Sequence, residues 1–233
     1  MDGAALAGLL PDLPRWVELR DVLRGPHARL VASMPAPLAL VVVDEESGTV
    51  YVAGAPPASA LQEAITGGAA EVLCPPESLM TVTAALPGWT VDPIDVHTRP
   101  DDAALPAVPS GNVRRLDRAA VDALAGIPPD LHAELRAAAH GGAPITAALV
   151  DGVPAAFCYA GATSEAWWDV AIDTLEPYQR QGLAARAFAA HAAAERRHGR
   201  SPVWCAAHTN PASGLLAARL GFVVVDRLYV VQR

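Results

Sequence analysis

Residues Trp167–Gly199 read WWDVAIDTLEPYQRQGLAARAFAAHAAAERRHG, and this stretch decides the fold: a strand, a tight turn, then a long helix. Trp168, Val170, Ile172 and Thr174 alternate with Asp169, Ala171 and Asp173, the period-2 pattern of a half-buried strand. Pro177 has no N–H to give a ladder and ends the strand. Gln179-Arg180-Gln181-Gly182-Leu183-Ala184 leads directly into an Ala-rich helix. Gly199 closes that helix, with Arg196, Arg197 and His198 in its last turn, where positive charge suits the dipole. A glycine and small residues at a helix mouth turn several unpaired backbone N–H groups toward one point, and such a point binds phosphate. Gly182 has no Cβ to block close approach, Ala184 is nearly as small, and Arg180 adds a mobile positive charge. Taken alone, the same six residues also suit an ordinary strand-to-helix turn.

The spacing Gln179-x-x-Gly182-x-Ala184, after a strand and opening a helix, resembles the acyl-CoA pyrophosphate loop of the GNAT superfamily of N-acetyltransferases. Downstream, Asn210-Pro-Ala-Ser213 followed by Arg219-Leu-Gly-Phe222 resembles that superfamily's second motif, in the right order. Asp173-Thr174, Gly182-Leu183-Ala184 and Pro202-Val203-Trp204 are further similar to the branch that includes zwittermicin-resistance acetyltransferases. The likeness covers residues 110–233 and is faint over residues 1–109.

The resemblance implies an α/β fold: a mixed sheet with helices on both faces, opened like a V between its fourth and fifth strands. It implies acetyl-CoA as acyl donor, direct transfer to a primary amine of a small molecule or peptide, and no metal. The pantetheine arm would lie along Ile172, Asp173 and Thr174. The pyrophosphate would sit on the loop Gln179, Arg180, Gln181, Gly182, Leu183 and Ala184. Asn210 and Ser213 would face the cofactor's arm, although helix capping accounts equally for an Asn and a Ser there. An alkylamine is mostly protonated at neutral pH, so a carboxylate near the acyl carbonyl has to take its proton. Asp169 is the first candidate, with Glu165 and Asp173 as alternatives. Many members carry a tyrosine, as general acid to the leaving thiolate, where this chain has Ala217. Tyr229 on the last strand is the replacement we expect, with His208 as the other option, unless the thiolate leaves unassisted. A GNAT-like binding module without catalysis is the reading from a different class.

Composition bounds the rest. The chain has 233 residues, 52% of them hydrophobic, enough for one large or two small domains with a sizeable core. No apolar run approaches the roughly 20 residues that span a bilayer, and Asp2 stands where a signal peptide would be basic. We therefore expect a cytoplasmic protein, a monomer or homodimer. Cys74, Cys158 and Cys205 form no Cys-x-x-Cys pair, which argues against a disulfide framework and a zinc site. The formal charge of −8 is uneven: residues 1–109 hold 5 Arg against 14 Asp and Glu, the remainder 12 Arg against 11. No basic cluster points to nucleic acid, while an acidic half draws a cationic amine.

Along the chain, Pro14–Leu23 has helical spacing, and Leu38–Val43 and Thr49–Ala53 form a hairpin around Asp44–Gly48. Ser59 is placed to cap a helix through Ile65, followed by strand 71–73, helix 77–85 and strand 89–96. The Pro- and acid-rich stretch 97–111 reads as a linker. It divides a small acidic α/β domain, residues 1–108, from the GNAT-like domain, residues 109–233. The first domain's acids, such as Asp44, Glu45 and Glu46, suggest a part in the acceptor pocket. In the second domain, Asp151-Gly152 joins two apolar runs as a hairpin, and two short strands, 222–225 and 228–231, close the chain.

Overall fold

The computed structural model describes residues 2–35, 37–100 and 112–233. The first half runs α1 (Gly3–Ala7), α2 (Val17–Arg24), β1 (Ala28–Pro35), β2 (Leu38–Asp44), β3 (Thr49–Ala53), α3 (Ala58–Thr66), β4 (Glu71–Cys74), α4 (Pro76–Ala85) and β5 (Thr90–Thr98). The second runs β6 (Val113–Leu116), α5 (Arg118–Asp122), α6 (Pro129–His140), β7 (Ile145–Val150), β8 (Val153–Thr163), β9 (Trp167–Thr174), α7 (Leu183–Arg197), β10 (Ser201–Ala207), α8 (Pro211–Arg219) and β11 (Val223–Gln232). The fold is mixed α/β, as the resemblance implies. The boundary expected near residue 108 lies outside the described residues. By compactness the chain forms two units, Met1–Thr98 with Trp204–Arg233, and Arg99–Val203.

In the first unit β1, β2 and β3 run antiparallel, and α3 crosses over to put β4 parallel to β3. β2 and β3 are buried almost throughout, the burial of strands covered on both faces. Leu40, Val42 and Tyr51 face Leu6, Leu10, Trp16 and Leu23 of the N-terminal segment. Val41, Val43, Val50 and Val52 face Leu61, Ala64 and Val82 on the other side. β11 lies between β4 and β5, antiparallel to both, with Val231 opposite Val72 and Val91.

The last strand corrects the expected pair: β11 is one ten-residue element, with a register shift between Val224 and Asp226. Asp226 and Arg227 look like a turn in sequence. Here Asp226 meets Arg15 at 3.5 Å and Arg227 bonds Asp95, so ion pairs carry both through a bulge. Two further elements escaped the sequence pattern. β1 is an edge strand paired only to β2, with half-buried side chains that blur its alternation. α1 has five residues, too short for periodicity to register. Ser59 lies inside α3, whose N-cap is Pro57 with no side-chain bond.

In the second unit β6 to β9 pair antiparallel in chain order, and α7 crosses over to set β10 parallel to β9. Asp151 and Gly152 both have positive φ, 50° and 81°, the tight-turn geometry that Asp-Gly favours. On one face Phe157 and Tyr159 pack with Leu116, Val121, Leu135 and Ile145. On the other lies α7, whose buried residues Leu183, Ala187, Phe188, His191 and Glu195 recur at helical spacing. Trp168 stacks on Phe188, ring centroids 6.1 Å apart, each such burial contributing about 1.5–3 kcal/mol.

Candidate functional site

β9 is the strand on which the site is built, because it loses one neighbour midway. It is paired to β8 as far as Ala156 opposite Thr174. Its ladder to β10 has three pairs, the last joining Val203 to Asp169. From Val170 to Thr174, among the described residues, no strand pairs with its other edge. The N–H and C=O groups along that edge can bond an extended ligand as a further strand would.

Asp169 stands where two irregularities coincide. It ends the β9–β10 ladder, and the facing β8 shifts register between Ala160 and Thr163. Gly161 lies in that shift, and a Cβ there would stand 3.4 Å from the Oδ2 of Asp169. Asp173 shares Asp169's parity on the strand, opposite Phe157, while Tyr159 is opposite Ala171. The Tyr159 hydroxyl donates to Oε1 of Glu134 on α6, a contact the sequence does not foretell. Burial, and next the charge of Glu134, hold the Asp173 carboxyl above the usual carboxylate range. Tyr159 is pushed up in the same way, first by burial and then by Glu134, and is a neutral donor. No local pattern signals this trio, because Glu134 lies on a helix more than twenty residues away in sequence.

The loop between β9 and α7 has the geometry its residues suggest. A 3-10 turn, Glu176–Tyr178, leads into it, and the Gln179 side chain reaches the Thr174 carbonyl at 3.4 Å. Arg180 and Gly182 both have left-handed backbone, φ 61° and 74°, bracketing Gln181. Glycine takes this conformation freely; arginine does so only where the surroundings impose it, and such positions cluster at functional sites. A Cβ on Gly182 would meet nothing within 4 Å, so the helix mouth is open. The first intrahelical bond runs from Arg186 N to Gly182 O at 3.2 Å, leaving the preceding N–H groups of the first turn without intrahelical acceptors.

Behind the loop, α7 covers a buried polar cluster. His191 is 1% exposed, its Nδ1 lies 3.1 Å from Thr146 Oγ1, and its ring centroid is 4.9 Å from that of Trp168. Glu195 approaches its Nε2 at 3.8 Å and is held by Arg200 at 3.0 Å. Burial, reinforced by Arg115 and Arg200, lowers the His191 pKa to about 4, so the ring is neutral.

The remaining candidates belong to the first unit. Asn210 caps α8 by accepting from Ser213 N at 3.2 Å, and the Ser213 hydroxyl accepts from Trp204 Nε1 at 2.9 Å. Trp204 is 2% exposed and packs edge-on against Phe222 at 5.4 Å. Tyr229 packs against the cluster containing Val72 and Val231. His208 is fixed through Nε2 to Asp95 at 3.0 Å, and Arg227 Nη2 bonds the same carboxylate at 2.8 Å. Burial alone would raise the Asp95 pKa, but the hydrogen bonds from Arg227 and His208 hold it below the usual range. Glu45 pairs with Arg29 at 3.3 Å, and Asp44 accepts from Ser47 at 2.7 Å within its own turn. Ala217, at the usual tyrosine position, is fully buried. Burial also raises the thiol pKa of Cys74, to about 12, and that of Cys158, which keeps both protonated and poor nucleophiles.

Comparison with known proteins adds the last observations. No curated protein matches the sequence. Among solved structures, a GCN5-related N-acetyltransferase-like protein from Streptococcus suis 89/1591 superposes with a TM-score of 0.68 at 17% identity, covering 99% of this chain and 98% of its own. A GCN5-related N-acetyltransferase from Kribbella flavida gives 0.63 at 18% identity, covering 99% and 95%. A tandem GNAT protein from the clavulanic acid biosynthesis pathway gives 0.57 at 17% identity, covering 98% and 92%. At these identities the likeness establishes the fold. Residues 146–231, which include the open edge of β9, the glycine loop and the Asn210 cap, match the sequence profile of the GNAT acetyltransferase family.

Proposed function

We propose that the protein is an acetyl-CoA-dependent N-acetyltransferase acting on a small-molecule or peptide amine. The observation that carries this reading is the unpaired edge of β9 running into an open, left-handed glycine loop at the mouth of α7. An extended pantetheine arm would bond along Ile172–Thr174, and its pyrophosphate would rest on the N–H groups from Gln181 to Ala184, with Arg180 adding charge. The GNAT profile match and the GNAT-type fold support acyl transfer in general. Asn210 and Ser213 belong to the same motif set. The acidic first half would favour the approach of a cationic amine.

Asp169 is the proton acceptor in this scheme. The ammonium nitrogen loses one proton to the carboxylate, directly or through water. The free amine then attacks the thioester carbonyl, its nitrogen gives a second proton to water, and the C–S bond breaks to expel the thiolate. Tyr229 would return a proton to the sulfur, with His208 as its competitor. Asp169→Asn should lower kcat about 100-fold and leave acetyl-CoA affinity unchanged. Thiol release from acetyl-CoA in the presence of amines, amino acids and aminoglycosides is the measurement. Full activity of that variant, with loss in Asp173→Asn or Glu165→Gln, would move the base elsewhere. The buried Ala217 favours one second reading, an acyl-CoA-binding module without transfer. Saturable acetyl-CoA binding with no thiol release from any amine would select it.

A further inference from the structure

The two halves of the chain repeat one succession of elements. In the first, a helix pair (α1, α2) precedes three antiparallel strands (β1, β2, β3), a crossover helix (α3), a parallel strand (β4), a helix (α4) and a strand (β5). In the second, α5 and α6 precede β7, β8 and β9, then come α7, the parallel β10, α8 and β11. Only β6 has no counterpart. The mouth of α3 is therefore the counterpart, in chain order, of the mouth of α7, with Pro57 as the N-cap of the one and Gly182 of the other.

They are built in opposite ways. Between β3 and α3 lies Gly54-Ala55-Pro56-Pro57, and two of these four residues have no N–H to offer. Pro57 is the N-cap itself, with no side-chain bond. Gly54 is left-handed like Gly182, but its neighbourhood is filled: a Cβ would fall 2.0 Å from the Leu38 carbonyl oxygen and 3.2 Å from Ala39 Cα. Its own carbonyl is occupied, accepting from Ser78 Oγ at 2.5 Å. Glycine here lets the chain press against β2, whereas Gly182 faces open space. The loop carries no cation.

We infer that the first half is a second copy of the acyl-CoA-binding repeat whose phosphate cradle is closed by its own backbone, so that the protein holds one acyl-CoA per chain, at the mouth of α7. The inference rests on the acyl-CoA reading above and goes beyond it by assigning the first half a scaffold role. Calorimetric titration of the full chain with acetyl-CoA tests it. The expected stoichiometry is one. Gly182→Glu should weaken binding more than tenfold. Ala184→Glu should do the same without demanding left-handed backbone of a non-glycine residue, and a glutamate in the first turn suits the helix dipole. Ala58→Glu, at the first helical position of α3, should leave affinity and stoichiometry as they are. Two sites per chain, a site that survives both changes at α7, or loss of binding in Ala58→Glu overturns the one-site inference alone. Absence of any binding by the unaltered chain overturns it together with the acyl-CoA reading.

Discussion

The β3–α3 and β9–α7 crossovers follow the same course and differ in what the backbone does where each helix begins. In one, the N-cap is a proline and the loop's glycine, Gly54, is packed against β2. In the other, two left-handed residues, Arg180 and Gly182, lead into a helix mouth where a Cβ on Gly182 would meet nothing within 4 Å. The helices differ beneath the surface as well. α3 buries Ala60, Leu61 and Ala64, an apolar face, while α7 buries His191 and Glu195 among its alanines. Repeating a fold step thus preserves the path of the chain and not its chemistry. The chemistry depends on which N–H groups remain free and on what is buried nearby.

The largest effect is expected from separating the halves. β11 is the last element of the second half, yet its ladder partners are β4 and β5 of the first. A fragment of residues 109–233 keeps a ten-residue strand with neither partner. A fragment of residues 1–108 has β4 and β5 without the strand between them. Unpaired edges of this kind aggregate. Each fragment alone should be insoluble or lack a cooperative melt in circular dichroism, and co-expression should restore a soluble pair. A 109–233 fragment that melts cooperatively and releases thiol at the full rate would show that the halves are independent.

A smaller effect should distinguish the two crossover helices by pH. His191 has a folded pKa of about 4 against 6.5 in the unfolded chain, the depression coming from burial and then from Arg115 and Arg200. Between these values the unfolded chain binds a proton that the folded one does not. The contribution is therefore complete above pH 6.5 and shrinks as pH falls, by about 3 kcal/mol at pH 4. Thr146, Trp168 and the Glu195–Arg200 pair are the groups facing the ring. Urea unfolding of His191→Gln, compared with the unaltered protein at pH 7 and pH 4.5, should show a flatter dependence. Identical slopes would remove His191 as the source.

The smallest effect concerns the helices that follow. α4 begins at Pro75 with no side-chain cap, whereas α8 begins at Asn210, which accepts from Ser213 N. Asn210→Ala should reduce stability by about 1 kcal/mol. If capping is all Asn210 does, acetyl-CoA affinity stays constant; a fall of tenfold would give the side chain a second role at the cofactor.

Much of the second half was legible because its signals are local. Gly182 at a helix mouth and Asp151-Gly152 in a hairpin each act over a few residues and appear in place. The strand expected up to Thr174 is there, although its alternation holds only through Trp168 and Val170 and gives way to half-burial from Ala171 to Thr174. Of the two adjacent tryptophans, Trp168 is fully buried and Trp167 only half-buried. The splay of β9 from β10 was accessible only through the resemblance. Nothing in the Asp169 neighbourhood announces that its ladder stops there. Glu134 beside Tyr159 and Asp173 was missed for a related reason, since an exposed helical glutamate looks the same whether or not a tyrosine lies beneath it.

By itself the sequence determined the strand, loop and helix of residues 167–199, the order of most elements, and the chemistry available at one helix mouth. These depend on side-chain period, on φ preferences and on missing N–H groups, all properties of short segments. Only the tertiary structure decided that β11 is a single strand, that it lies between β4 and β5, and that Gly54 is packed where Gly182 is open. A strand carries its own hydrophobic period but not the identity of its neighbours. Pairing Val231 with Val72 and Val91 closes loops of well over a hundred residues, and only the assembled sheet stabilises such a pairing enough to offset its entropy.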